Sequence, residues 1–234
     1  MNPKSNIEMK KVLLKILFIF FPIILFAQNN YYDVVVVGGT PGGIMSAIAA
    51  SREGKKVVVL ERSAHIGGLP ANGLGATDIA TRGATTGLFR EFVNYVLDYY
   101  IEKYGKDSEQ VMVCSDGYHF EPPVAALVFE KMLEPERKNI TVLTMRQFDS
   151  ETKNVVMDGA EIQCVRIYNR DTKKWEQYSG KVFIDATYEG DLGAAAGVPY
   201  SIGREGKDEY NEIGAGRLYK LWLGPELEGT TNEG

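Results

Sequence analysis

Apolar residues enter this chain in two rhythms. Tyr31 to Val37 and Val57 to Leu60 are short β-branched runs, the near-continuous apolar pattern of parallel strands covered on both faces. Between them, the segment from about Gly42 to Glu53 carries Ser46, Ala47, Ala49 and Ala50 over much of its surface. It predicts a helix whose small side chains let it lie close to a sheet. Phe89, Phe92, Val93, Val96, Leu97 and Tyr100 then recur at helical spacing within Gly87 to Tyr104, an amphipathic helix with its aromatics in the core. Pro122 and Pro123 stand where a helix would start, and Val124, Leu127, Val128 and Met132 give that helix one apolar side. Ile140 to Met145 reads as a strand. Ala160 to Tyr168 and Trp175 to Asp185 alternate as strands around a turn at 169–174, which predicts a small β-meander.

The join between the first two runs carries chemistry. Gly38, Gly39, Gly42 and Gly43 surround Thr40 and Pro41, so a buried strand passes through a glycine-rich turn into a helix. The N-terminus of that helix leaves unpaired N–H groups and a positive dipole end where a pyrophosphate can sit. The second strand delivers Glu61, 23 residues beyond Gly38, to the place where a carboxylate accepts hydrogen bonds from ribose hydroxyls and repels a 2′-phosphate. Counted from Gly38, the G-x-G-x-x-G pattern has Thr40 at its second glycine and Gly43 at its third. Thr40 therefore either places its hydroxyl on a phosphate or crowds the site. The fold class expected is α/β, a dinucleotide-binding Rossmann-like domain with a parallel sheet and the meander; an ordinary βαβ crossover without ligand is the plainer alternative.

The stretch from Glu61, ERSAHIGGLPANGLGATD, has five residues between the carboxylate and the pair Gly67 and Gly68. Two-dinucleotide-binding flavoproteins look like this, and plain NAD dehydrogenases usually lack it. Together with GGTPGG, HFEPPVAALVFEKML and FIDATYEGDLGAAAGVPYSIGRE, it resembles the FAD-dependent oxidoreductase family that includes bacterial xanthan-lyase-like flavoproteins. The flavin subunit of heterodisulfide reductases is a more distant likeness. The resemblance runs from about Tyr31 to Gly216, and its third motif departs from the usual form by having Pro123 where the family has His. It implies FAD as cofactor, bound by Gly38, Gly39, Thr40, Pro41, Gly42, Gly43, Glu61, Arg62, Gly67, Gly68, Thr187 and Asp191. It also implies that backbone around Arg146 and Gln147 passes near the adenine.

Composition places limits on this reading. The chain has 234 residues, of which 44% are apolar, and a formal charge of −5. Lys10, Lys11 and Lys15 precede an apolar run from Ile16 to Phe26, and LFAQNN offers a cleavage point after Ala27. Residues 1–27 thus read as a signal peptide, too short in its apolar part for the roughly 20 residues a membrane span needs. They carry four lysines and one glutamate, so their removal leaves 207 residues at a charge of −8. An acidic product without a basic stripe speaks against nucleic acid as a partner. The signal peptide points to a periplasmic or secreted protein, which would have to acquire FAD outside the cytoplasm.

The expected organisation is a signal peptide (1–27), an FAD-binding domain (28–205) and the start of a truncated substrate-side region (206–234). Cys114 and Cys164, 50 residues apart with no C-x-x-C, build neither an iron–sulfur cluster nor a zinc site; a disulfide and two buried thiols both stay open. No catalytic residue or metal ligand set stands out. His65 is read as a hydrogen-bonded loop histidine that could instead face the flavin, and His119 as packing beside a helix start. Arg204 is read equally as an anion-binding group or a surface ion-pair partner. The function expected is an exported FAD-dependent oxidoreductase acting on an unidentified small molecule, the alternative being a non-catalytic dinucleotide-binding remnant associated with glycan utilisation.

Overall fold

The computed structural model describes residues 30–203, 205–213 and 215. The expected signal peptide, Arg204 and most of the expected substrate-side region lie outside the described residues. Along the chain run β1 (Tyr31–Val37), α1 (Pro41–Arg52), β2 (Val57–Leu60), α2 (Gly68–Asn72), α3 (Gly87–Tyr104), α4 (Glu109–Val113) and α5 (Pro122–Leu133). There follow β3 (Ile140–Leu143), β4 (Arg146–Gln147), β5 (Val155–Asp158), β6 (Glu161–Asn169), β7 (Lys174–Asp185), α6 (Asp191–Ala195) and α7 (Lys207–Tyr210). The chain divides after Ala196 into two compact units, and the sheet, its covering helices and the cavities belong to the first. Among the described residues of the second unit, α7 is a single short helix.

The sheet has the order β3-β2-β1-β7-β6-β4, with β5 paired to β6. β3, β2, β1 and the second half of β7 run parallel, while β4, β5, β6 and the first half of β7 pair antiparallel. The meander is therefore not an insertion ahead of a separate strand. β7 pairs with β6 over 174–179 and with β1 over 179–185, so one strand is both the last of the meander and a member of the parallel sheet.

The valine run of β1 makes sense in this setting. Val34 and Val36 face a core shared with α1, α3 and α5, whereas Val35 and Val37 face a second core beneath the meander and α6. Both faces are covered, so alternation disappears and the run is apolar throughout. Helix α1 buries Gly43, Ile44, Ala47, Ile48 and Ser51, an i, i+1, i+4, i+5, i+8 stripe along one face. Among the small residues expected on its packed face, Ala47 is buried but Ala49 is exposed. Close approach comes chiefly from Gly43, where an added Cβ would stand 2.0 Å from Gly38 O.

One further expectation changes, at Leu127, and one open alternative closes, at the cysteines. Leu127 is 57% exposed, because the buried stripe of α5 is Val124, Ala125, Val128, Phe129, Met132 and Leu133; Leu127 lies on its flank. Cys114 and Cys164 are both buried free thiols. Cys114 belongs to the helix-side core and Cys164 to β6.

The loop beyond α4 shows how tightly α3 is packed. Gly117 has φ +87°, and a Cβ there would lie 1.9 Å from the Val93 carbonyl oxygen. Gly54 has a similar φ of +73° with open space around it. Gly117→Ala should lose about 3 kcal/mol in urea unfolding, a backbone penalty plus a clash. Gly54→Ala should lose only about 1 kcal/mol. Equal losses would contradict this packing.

Candidate dinucleotide site

Parallel pairing brings the carboxyl ends of the strands to one edge. Val37 lies opposite Leu60 and Asp185, and Leu60 opposite Leu143. Gly38, Glu61, Ala186 and Thr144 therefore leave the sheet side by side, at the edge where open α/β sheets bind ligands. A cavity of about 370 Å³ opens there, within the size range of small-molecule sites.

Glu61 organises the edge. Its carboxylate is buried, with the residue 7% exposed. Gly39 N–H donates to Oε2 at 2.7 Å and Ser63 N–H donates to Oε1 at 2.7 Å. One side chain thus joins the glycine turn to the loop after β2. The remaining lone pairs are acceptor capacity at the wall of the cavity, which Glu61 lines. Backbone bonds reinforce the junction: Gly67 N–H donates to Gly39 O at 2.8 Å and Arg146 N–H to Glu61 O at 2.8 Å. A Cβ on Gly39 would stand 3.0 Å from Glu61 Oε2 and from Ile66 Cγ2, so glycine at 39 is what lets the carboxylate reach the turn.

Thr40 neither crowds the cavity nor turns its proton toward it. The hydroxyl donates to Ala186 O at 2.9 Å and accepts from Gly43 N–H at 3.3 Å. It caps α1 and fastens the glycine turn to the segment after β7. Pro41 at the first helical position has no N–H to offer. Gly42 is exposed at the second position, with only Thr40 Oγ1 near its would-be Cβ, which leaves backbone accessible to an anion.

The DATYEGDL segment is held by an aspartate that the sequence reading passed over. Asp185 Oδ1 accepts from Thr187 N–H at 3.0 Å and Thr187 Oγ1–H at 2.7 Å, while Oδ2 accepts from Gly193 N–H at 2.9 Å. Thr187 Oγ1 in turn accepts from Asp191 N–H at 2.9 Å. Asp191 opens α6 and lines the cavity. Its carboxyl is held above the ordinary aspartate range by burial first, and then by the negative charges of Asp185 and Glu189.

The sequence-predicted residues divide in two. Gly38, Thr40, Glu61, Arg62, Gly68, Thr187 and Asp191 line the cavity, and Gly39, Pro41, Gly42, Gly43 and Gly67 lie outside its lining. Gly67 has φ +106°, and its Cβ would meet the Phe129 ring at 2.9 Å, so it is there for packing against α5. At Gly68 a Cβ would stand 2.2 Å from the Tyr188 hydroxyl oxygen, which accepts from Leu69 N–H at 2.7 Å. Tyr188, Ser63, Leu69, Asn72 and Phe148 are cavity residues that the sequence reading did not single out. His65 bonds Asn72 Oδ1 through Nε2 at 2.6 Å, and His119 is exposed two residues before Glu121, the N-cap of α5. A second cavity of about 380 Å³, lined by Tyr100, Cys114, His119 and Glu121 among others, shares no residue with the first. The Tyr100 phenol there is pushed up to about 12, by burial and then by its bond to the Glu121 carboxylate.

Because the Asp191 carboxyl is raised in the folded chain, the folded state binds its proton more tightly than the unfolded state does. Its ionisation costs stability as pH rises above the ordinary aspartate value of about 3.9. Asp191→Asn should therefore melt higher than wild type at pH 7, the gap closing toward pH 4 in thermal scans. A variant that melts lower at pH 7 would contradict the assignment.

Comparison with known proteins finds a family match over most of the chain. Residues 33–224 match the family described as FAD dependent oxidoreductase. Digeranylgeranylglycerophospholipid reductase from Methanocaldococcus jannaschii is 49% identical over 39 residues, 17% of this chain and 10% of that protein. Soluble pyridine nucleotide transhydrogenase from Vibrio cholerae is 39% identical over 41 residues, 18% of this chain and 9% of that protein. The chain thus covers about a tenth of the length of these curated relatives. Among solved structures, the glycerol-3-phosphate dehydrogenase from Bacillus halodurans complexed with FAD is similar at 14% identity and a TM-score of 0.49, over 71% of this chain and 36% of that one. Matched over well more than half its length, the chain belongs to the FAD-dependent oxidoreductase family.

Proposed function

We propose that the chain is an exported FAD-dependent oxidoreductase acting on a small organic substrate, and that it holds the adenosine diphosphate half of FAD at the carboxyl ends of β1, β2 and β7. The observation that carries this reading is the buried Glu61 carboxylate at the cavity wall, fixed by two backbone N–H groups. A carboxylate so fixed is pre-organised to accept hydrogen bonds from a ribose diol, and it meets no extra cost of ordering when the ligand arrives. Export rests on Lys10, Lys11 and Lys15 ahead of the apolar run from Ile16 to Phe26.

The residues fit the cofactor. Helix α1 begins on a glycine turn so tight that Gly38 and Gly43 admit no Cβ, and the N-terminal backbone at Gly42 is open to a diphosphate. Bound FAD supplies two-electron redox chemistry at its isoalloxazine ring. This chain binds and orients: Glu61 takes the ribose, the Gly38 to Gly43 turn takes the diphosphate, and Thr187 and Asp191, shaped by Asp185, flank the path toward the ring.

Purified chain mixed with FAD should become yellow and retain flavin through gel filtration. Glu61→Ala should bind FAD about 10- to 100-fold more weakly in isothermal titration, the effect of removing hydrogen bonds to a charged group. A colourless wild-type chain after reconstitution would sink the flavin reading. Undiminished affinity in Glu61→Ala would sink the ribose assignment.

A further inference from the structure

Resting on the flavin reading above, the geometry points to Arg146 as an adenine-positioning residue, its guanidinium serving the purine as a flat wall and not the phosphates as a counter-charge. The ribose joins the diphosphate through one carbon and the base through another. With the diphosphate on the Gly38 turn and the ribose on Glu61, the base must lie beyond Glu61, away from that turn. The cavity wall there is made by Arg62 and Ser63 after β2 and by Arg146, Gln147 and Phe148 after β3. Arg146 is placed beside the ribose acid by its own backbone, since its N–H donates to Glu61 O.

The guanidinium has its hydrogen-bonding edge already engaged. Nε donates to Glu176 Oε2 at 3.2 Å, Nη2 to Glu176 Oε1 at 3.5 Å and Nη1 to Thr144 O at 3.0 Å. Glu176 is itself held by Asn169 Nδ2 at 2.6 Å and the Tyr178 hydroxyl at 2.6 Å, and Asp171 stands 3.7 Å from Nη1. Two carboxylates offset the charge and three of the five N–H donors are engaged, one on each nitrogen, so the guanidinium is held in one orientation and its planar face is what it offers the cavity. A planar cation held rigid is the form of arginine that stacks on aromatic rings. Lysine has no such plane. The holding residues Asn169 and Glu176 flank the meander turn, which gives the meander a part in cofactor selection: it presents Arg146 to the adenine and so favours FAD over FMN, which has none.

Titrations of the full chain with FAD, ADP and FMN test this, comparing wild type with Arg146→Lys and Glu176→Gln. Arg146→Lys, which keeps the charge, should weaken FAD and ADP about tenfold, the order of a desolvated cation–π contact, and leave FMN within about twofold. Glu176→Gln should weaken FAD and ADP in the same direction by a smaller factor. The fluorescence of 1,N6-etheno-ADP, sensitive to stacking on the base, should change on binding to wild type and change less on binding to Arg146→Lys. Unchanged FAD and ADP affinity in Arg146→Lys overturns the inference, as does an equal loss for FMN. Wild-type chain that binds neither FAD nor ADP overturns both this inference and the flavin reading, whereas wild-type binding with an unimpaired Arg146→Lys overturns this inference alone.

Discussion

Two N–H groups from different loops converge on one buried carboxylate, and the edge of the sheet is built on that contact. Gly39 and Ser63 each donate to Glu61 at 2.7 Å, so a residue at the end of β2 fixes the turn after β1. Burying an ion requires such compensation, since an unpaired carboxylate in this position would be strongly disfavoured. The contact in turn requires glycine at 39, because a side chain there would occupy the carboxylate's space. Fold support and the proposed ligand recognition thus fall on one residue: the carboxylate that holds the loops together belongs to a residue of the cavity lining.

A second constraint is the double life of β7. Its first half closes the meander against β6, and its second half completes the parallel sheet beside β1. The same strand ends at Asp185, whose carboxylate shapes the loop through Thr187 and Gly193. Thr40 then ties the glycine turn to Ala186. The polar network of Glu176, Asn169 and Tyr178 sits at the start of that strand and the end of its partner β6, so one continuous element carries supports for two sides of the cavity.

What the sequence made legible was local. The β-branched runs, the glycine turn and the interval from Gly38 to Glu61 all lie within one βαβ unit, where spacing alone dictates which atoms meet. The helices at 87–104 and 122–133 followed from periodicity and from the paired prolines. Long-range pairings were not legible. Nothing near Thr40 says that its hydroxyl will find Ala186, 146 residues away, nor does the neighbourhood of Arg146 announce Glu176, 30 residues on. Gly67 and Gly68 were visible as a pair, but one packs on Phe129 and the other makes room for Tyr188, partners known only once the chain is folded. Leu127 shows the limit of periodicity on its own: residue spacing placed it with Val124 and Val128, and the position of the neighbouring core placed it outside.

Adenine nucleotide is proposed to bind at the carboxyl ends of β1 and β2, against Glu61. The most direct measurement is an amide chemical-shift map of the isotope-labelled chain titrated with ADP. The largest shifts should fall on Gly38, Gly42, Ser63 and Arg146. Shifts concentrated instead around the second cavity, at Tyr100, Cys114 and Glu121, would contradict it.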